Sequence, residues 1–518
     1  MQTLPELIRW RARVTPEIPA VWFEGRQITY RELDRRSSQA ANALIERGVR
    51  PGDRVCVLDQ NHAGFIELMF GLAKAGAVYV PVNWRLAPPE VSYVVNDSEA
   101  KLLFVGGSFC QIIEEIEDQL TTVRKIVSFS GGSDAWESYT AMLDGASEAD
   151  PRVQILDSET TWQLYTSGTT GRPKGAELTT SNLFSVFGFA PALFGGMREG
   201  ERTLVVMPLY HIGGSGYALM ALIAGNTLVM MREFNPAKAL DIIQEQKVNH
   251  SFLVPAALLF MLQAENSART NSSSLRAIVY GASPIPEDLL RRAMDHFRCE
   301  FFQVYGLTET TGGVTRLRFE DHHLNGPLAR RLKSCGQPLF GVEVRVVDSE
   351  GQDVAPGVMG EIVVRGPVVM KGYWHDPEAT ARAIRDGWLY TGDAGYQDED
   401  GFIYIQDRVK DMIVSGGENI YPAEVESCLF GHPAVADVAV IGIPDERWGE
   451  AVKAVVVLKP DTAVGAEELT EFCKGKIANY KRPRSVDFVT ALPRNPTGKV
   501  LKRELRKPYW EGKDRNVN

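Results

Sequence analysis

Residues Thr161-Trp162-Gln163-Leu164-Tyr165 read as a short strand and run directly into Thr166-Ser167-Gly168-Thr169-Thr170-Gly171-Arg172-Pro173-Lys174-Gly175-Ala176. From Tyr165 onward, twelve residues hold three glycines, four Ser or Thr hydroxyls and a lysine. Glycines let backbone N–H groups turn inward with no Cβ in the way, hydroxyls donate to phosphate oxygens, and an ammonium offsets their charge. Ser/Thr/Gly clusters are more often plain surface loops. This density, between a strand and a helix predicted to begin near Thr180, makes a phosphate-binding loop the stronger reading. It is not a Walker A loop, because Pro173 lies five residues after Gly168 and Lys174 is followed by Gly175.

The chain around that loop alternates strand and helix. Ile28-Thr29-Tyr30 reads as a strand, and Leu33, Ala40, Ala41, Leu44 and Ile45 keep helical spacing up to the stop at Gly48. Val55–Leu58, Phe65–Ala75 and Ala77–Pro81 then give strand, helix, strand, which is the rhythm of a parallel sheet covered by helices. The rhythm continues through Lys101–Val105, Leu204–Met207, Thr227–Met231 and Ala277–Gly281. From about Gly336 it gives way to hairpin strands, Val342–Val347 and Glu361–Arg365, separated by turn residues. Beyond Lys410 strands and helices recur on a shorter scale. The predicted architecture is therefore α/β: a large N-terminal domain, 1–409, with parallel-rich sheets and a β subdomain, then a small α+β C-terminal domain, 410–518.

Composition narrows the function. The 518 residues exceed one core, and a net charge of −10 disfavours a broad nucleic-acid surface while leaving room for local basic patches. Six cysteines at 56, 110, 299, 335, 428 and 473 form no Cys-x-x-Cys pair, which fits buried, reduced thiols rather than a zinc site or disulfide framework. The amino terminus has no basic region followed by an apolar core, and no apolar run reaches the length of a membrane span, so a cytoplasmic enzyme is expected.

Seven more stretches carry chemistry-bearing residues. Met207-Pro208-Leu209-Tyr210-His211-Ile212-Gly213-Gly214 puts an aromatic and a histidine on a loop at a strand's carboxyl end, where open α/β sheets bind ligands. Gly281-Ala282-Ser283 and Gln303-Val304-Tyr305-Gly306-Leu307-Thr308-Glu309 each follow a strand-like run. Tyr390-Thr391-Gly392-Asp393 and Asp407-Arg408 offer a carboxylate for hydroxyls and a guanidinium for oxygens. Ser415-Gly416-Gly417 and Pro493-Arg494-Asn495-Pro496-Thr497-Gly498-Lys499 come last. Each alone is weak, since a lone glutamate is more often a helix-start residue and a lone histidine a packing residue.

In this order the motifs resemble the adenylate-forming superfamily of acyl-CoA synthetases, aryl-CoA ligases, luciferases and peptide-synthetase adenylation domains, over nearly the whole chain, with bacterial fatty-acyl-CoA ligases nearest. One departure is Leu178-Thr179-Thr180 where Leu-Thr-His is frequent. The resemblance implies that Thr166, Ser167, Gly168, Thr169, Thr170 and Lys174 hold the β- and γ-phosphates of ATP. It implies that Gly281, Ala282 and Ser283 line the adenine with Tyr305 stacked on it, that Gln303 and Gly306 border the nucleotide, and that Thr308 meets the α-phosphate. Glu309 would hold Mg²⁺, Asp393 and Arg408 the ribose or phosphate, and Lys499 the substrate carboxylate and α-phosphate, with Thr166, Glu309 and Lys499 as the catalytic set. Tyr210, His211, Gly213, Gly214 and Gly306 would border the acid, with Gly213, Gly214 and Gly216 leaving volume and Gly306 an open floor. Ser415, Gly416 and Gly417 would approach CoA, and Lys410 would be the hinge.

The implied reaction is carboxylic acid, ATP and CoA to acyl-CoA, AMP and pyrophosphate. No acidic residue occurs from Val205 to Ala224 to pair with a substrate amine. An apolar medium- or long-chain acid is therefore the first expectation, with an aryl or alicyclic acid, or transfer to a carrier protein, as alternatives. Small molecules are the expected partners, without nucleic acid; peripheral membrane contact and a homodimer are compatible with the reading.

Overall fold

The computed structural model describes residues 3–166, 173–408, 411–415, 418–445, 447–474, 476–494 and 500–511, with the side chains of 407, 408, 418 and 419 excepted. Two large mixed sheets share one hydrophobic core. The first has nine strands in the order Gln337–Pro338, Thr315–Leu317, Glu300–Tyr305, Ala277–Gly281, His250–Leu253, Arg202–Val205, Thr227–Met230, Pro19–Phe23, Arg26–Thr29. Its central strands run parallel, and antiparallel pairs close both edges.

The second sheet has eight strands: Gly372–Tyr373, Lys174–Thr179, Thr160–Thr166, Val78–Pro81, Arg54–Leu58, Leu102–Val105, Lys125–Ser128, Glu137–Ser138. The α/β reading holds, as do the strand–helix–strand segments from Arg26 to Pro81. The helix Ala63–Ala75 is buried nearly all round, so its sequence is apolar on every face.

An antiparallel sheet built on Glu343–Val347, Gly360–Arg365 and Trp388–Gln397 forms the β subdomain, and its first hairpin pairs Glu343 with Arg365 through Val347 with Glu361. From Ile413 a separate sheet, Glu418–Ile420, Ile413–Ser415, Gly449–Leu458 and Val435–Asp445 with Ser485–Phe488 alongside, packs a core of its own around Val425, Leu429, Val440, Val452 and Leu469. All six cysteines are free. Among the described residues, no helix is long and apolar enough to cross a membrane.

The strand Thr160–Thr166 is fixed from below. Trp162 is fully buried, paired with Tyr79 across a parallel register and edge-on to its ring at 6.1 Å. Gln163, also fully buried, accepts from Arg54 Nε at 3.0 Å and donates to the Tyr165 hydroxyl at 3.2 Å, which in turn donates to Asp97 at 2.6 Å. Arg54 lies over the Trp374 ring and donates to Glu177 on the next strand at 2.8 Å. A satisfied polar network of this kind rigidifies what stands on it.

Three histidines, His322 buried and His62 and His211 half-buried, carry a stability consequence. Burial holds His62, His211 and His322 at about 4, below the ordinary 6.5. In neutral His322, Nδ1 donates to the Arg318 carbonyl at 2.8 Å, which leaves Nε2 to accept from the Tyr280 hydroxyl at 2.9 Å. Asp321 and Glu320 nearby pull the other way without prevailing. The unfolded chain binds a proton near 6.5 that the folded one refuses until about 4, so stability is full above that window and falls as pH drops through it. For His322 the loss is on the order of 3 kcal/mol. Denaturant titrations at pH 7 and pH 5 should show roughly 2 kcal/mol of this loss in the native protein, the rest appearing below pH 5, and a flatter dependence in His322→Gln. An identical slope in both would remove the assignment.

Candidate active site

The phosphate-loop residues Ser167, Gly168, Thr169 and Thr170 lie outside the described residues, as do Lys410, Gly416, Gly417 and Lys499. The frame around the loop is described, and it differs from the sequence expectation in one respect. A strand, Lys174–Thr179, precedes the helix Thr180–Phe187 and pairs antiparallel with Thr160–Thr166, so the loop joins two antiparallel strands. The strand was missed because Lys174-Gly175-Ala176-Glu177 has weak β-propensity; tertiary pairing supplies what the local sequence lacks. Gly175 leaves room for the Gln163 side chain there, since a Cβ would lie 2.6 Å from Gln163 Nε2.

The departure at Thr179-Thr180 affects only the helix start. Thr179 and Asn182 cap it reciprocally, at 3.1 and 2.8 Å.

Register places Thr166 opposite Lys174, so both project from the base of the loop. The Thr166 hydroxyl donates to Glu309 Oε1 at 3.3 Å. Glu309 sits in the 3₁₀ turn Thr308–Thr310, after the strand Glu300–Tyr305 of the other sheet. The two sheets thus meet at the carboxyl ends of two strands, the usual place for a ligand in open α/β folds.

Sequence reading missed Tyr373, whose hydroxyl donates to the same Glu309 oxygen at 2.8 Å. It lies 64 residues away on a two-residue edge strand paired with Lys174–Thr179, and no local pattern marks it. The Lys174 ammonium lies 5.2 Å from the Tyr373 ring centroid and 3.9 Å from Asp376.

On the other side of the cleft, Tyr305 donates to Asp393 Oδ2 at 2.8 Å, and burial raises its phenol well above the ordinary value, so it stays a neutral donor. Asp393 is almost fully buried on the strand Trp388–Gln397, opposite Arg408 in register; of Arg408, only the backbone is described. Gln303 keeps a buried Oε1 with no partner among the described residues. Gly281 lies beside Val304, whose carbonyl would be 2.2 Å from a Cβ. Ala282 follows at φ +66°, a left-handed conformation unusual for alanine, and Ser283 is half-buried. Tyr305, Gly306, Leu307, Thr308 and Glu309 are all half-buried.

The loop at Met207–His211 is held by Asn61, which donates to the Met207 carbonyl at 3.0 Å and accepts from Leu209 N at 2.9 Å. Tyr210 receives a bond from Arg85 at 3.3 Å. His211 stands before the helix Ile212–Ala224 with its Nε2 buried and unpartnered among the described residues. Held neutral with a pKa of about 4, it is a poor base at neutral pH.

The expectation that glycines leave open volume here is corrected. A Cβ on Gly213 would meet Phe252 at 2.9 Å, on Gly214 the Pro208 carbonyl at 2.1 Å, and on Gly216 the Phe187 ring at 2.2 Å. The same holds for Gly306, where a Cβ would lie 2.6 Å from the Gly312 carbonyl oxygen and 2.8 Å from Gly313 N. These glycines permit close packing, and Gly306 is not an open floor. Gly306→Trp, which on the sequence reading would merely shorten the acid pocket, is instead expected to destabilise the fold. Backbone cannot yield as a side-chain tip can, so even Gly306→Ala should cost about 1–3 kcal/mol. Thermal unfolding of both variants tests this. A stable Gly306→Trp with a shifted acid profile would restore the earlier view.

Glu309 is a carboxylate that could hold a divalent cation, and among the described residues there is no cluster of three or more His, Cys, Asp or Glu side chains able to hold a metal by itself. That donor set suits magnesium, which takes one or two carboxylates and fills its octahedron with phosphate oxygens and water. Ser415 is buried at the end of the strand Ile413–Ser415, paired with Glu418 and Gly449.

Residues 8–374 match the AMP-binding enzyme family, and residues 424–499 match the AMP-binding enzyme C-terminal domain. Over 523 aligned residues the chain is 41% identical to a fatty acid–[acyl-carrier-protein] ligase of Streptomyces coeruleorubidus, covering 100% of this chain and 98% of that one. It is 39% identical over 501 residues to a feruloyl-CoA synthase of an Amycolatopsis species, covering 96% and 97%. Among solved structures, an anthranilate–CoA ligase in complex with anthranoyl-AMP superposes with a TM-score of 0.91 at 28% identity, covering 98% of this chain and 97% of that one.

Proposed function

Since the chain belongs to the AMP-binding, adenylate-forming ligase family, we propose that it joins an apolar carboxylic acid to CoA. ATP is split to AMP and pyrophosphate through an acyl-adenylate. A medium- or long-chain fatty acid is the first class and an aryl or alicyclic acid the second. The observation that carries the reading is the meeting of Thr166 and Glu309 from different sheets, with the Tyr305–Asp393 pair across the same cleft.

In the first half-reaction a carboxylate oxygen attacks the α-phosphorus and the bond to the β-phosphate breaks. Thr166 and Lys174, with Ser167 to Thr170, would hold the outgoing phosphates. Asp393, held by Tyr305, would accept the ribose hydroxyls, and Gly281 to Ser283 would face the adenine, with Thr308 at the α-phosphate. Magnesium, held by Glu309, would supply charge neutralisation at the phosphates when bound. Lys499 would draw the carboxylate and α-phosphate together.

In the second half-reaction the CoA thiolate attacks the acyl carbon and the bond to AMP breaks. Ser415, Gly416 and Gly417 would line the thiol's approach after the C-terminal domain, taken to begin at Lys410, turns about that residue. His211 would pack against the acid without taking a proton.

A panel of acids from acetate to long-chain and aryl acids, assayed for CoA-dependent AMP release, tests the proposal. The second reading, delivery to an acyl-carrier protein, is favoured by the 41%-identical relative of that description. Rapid turnover with carrier protein and none with free CoA would select it. Failure of every acid to exchange pyrophosphate into ATP would reject both.

A further inference from the structure

Helices Pro422–Phe430 and Ala466–Phe472 pack on one hydrophobic core in the C-terminal domain, and each brings a cysteine to it. Cys428 lies on the first helix and is half-buried, whereas Cys473 caps the second and is fully buried. Their thiols are hydrogen-bonded to each other. The two helix ends are held together beside that contact: the His432 ring stands edge-on to Phe472 with centroids 4.8 Å apart, and His432 Nε2 lies 3.8 Å from Glu468. Both cysteines are free, so the pair is in its reduced form, and the proposed ligase reaction uses neither.

The two sulfurs differ in character. The bond from Cys473 draws the Cys428 thiol down to about 7, and the Lys476 ammonium, held over the Phe472 ring, pulls the same way against the effect of burial. Cys473 moves in the opposite direction: the same bond and its burial hold its proton on, which makes it the donor to its neighbour. A partly exposed thiolate beside a buried thiol is the arrangement in which oxidation of one sulfur is resolved by the other. Cysteines that only fill volume look different here. Burial pushes Cys56 and Cys335 up to about 12, and it does the same to Cys299, which is as half-buried as Cys428 but has no thiol beside it to offset the effect.

We infer that Cys428 and Cys473 form a reversible oxidation site, at which a hydroperoxide converts the pair to an intramolecular disulfide and a small thiol restores it. The Cys428 thiolate attacks the outer oxygen of the hydroperoxide; an S–O bond forms, the O–O bond breaks, and the remaining oxygen leaves as an alcohol or water after taking a proton. The Cys473 sulfur then attacks the sulfur of the Cys428 sulfenic acid; the S–S bond forms, the S–O bond breaks, and hydroxide leaves as water with the Cys473 proton. Two thiols lose two electrons and one hydroperoxide gains them. The bond ties helix Pro422–Phe430, which follows the hairpin of Ile413–Ser415 with Glu418–Ile420 and packs against strand Ile403–Arg408, to helix Ala466–Phe472. The inference stands apart from the choice of acid or of thiol acceptor.

The test treats the full-length reduced chain with hydrogen peroxide and maps its peptides without a reducing agent. Wild type should lose two hydrogens in mass, yield a cross-linked peptide joining Cys428 to Cys473, and regain both thiols with dithiothreitol. Cys473→Ser keeps a donor to Cys428 but has no sulfur to resolve with, so oxidation should halt at a Cys428 sulfenic acid that dimedone traps. Cys428→Ser should leave Cys473 unmodified at the same peroxide dose. Before any oxidation, iodoacetamide at neutral pH should label Cys428 about 100-fold faster than Cys299 in wild type, a measurement that depends on no variant folding. Peroxide treatment that leaves both thiols free, or that links either cysteine to a different partner, overturns the inference. Equal labelling of Cys428 and Cys299 overturns it as well, because Cys428 would then have no reason to react first.

Discussion

Glu309→Gln is expected to slow acyl-adenylate formation by about 10²–10³, the scale seen when one preorganised electrostatic contact at a transition state is removed. The substitution keeps the shape and one oxygen to accept from Thr166 and Tyr373, so the fold should survive. What it removes is the negative charge that would hold the cation. Glutamine also brings an NH₂ group, which in one of its two orientations faces two hydroxyl donors. Pyrophosphate exchange with saturating acid, read against the magnesium concentration, separates the outcomes. A loss rescued by raised magnesium places the carboxylate at the metal. An unchanged rate would mean that Glu309 is a structural acceptor that braces the loop base through Thr166 and Tyr373.

Lys499→Ala should cost about as much, 10²–10³, but in one half-reaction only. An ammonium between the acid and the α-phosphate matters while negative charge gathers there; it has no such task once the adenylate exists. Acyl-AMP formation should therefore fail, while thioester formation from supplied acyl-AMP stays near the wild-type rate. Equal loss in both halves would refute the assignment and point instead to a general disturbance of the C-terminal domain.

The sequence alone determined the class of fold and most of the residues to watch. Strand–helix alternation from Arg26 to Pro81 survives translation into structure because short apolar runs between turn residues mark the buried strands Arg54–Leu58 and Val78–Pro81, and a longer one marks the buried helix Ala63–Ala75. The hairpin Glu343–Val347 with Gly360–Arg365 was legible for the same reason, aided by the turn residues between. The density of glycine and hydroxyl residues after Tyr165 was likewise visible, because it is concentrated in one short stretch.

Tertiary structure decided what depends on separation. The strand Lys174–Thr179 exists by pairing with Thr160–Thr166, a partner no local propensity announces. Tyr373 reaches Glu309 from 64 residues away, and Tyr305 reaches Asp393 from 88. The sense of the glycines was also invisible. Gly213, Gly214, Gly216 and Gly306 look like open space in one dimension, and only the positions of Phe252, Pro208, Phe187 and Gly312 show that the space is filled. A sequence states which side chain is absent, whereas occupancy of the volume it vacates is a property of neighbours brought from elsewhere by the fold.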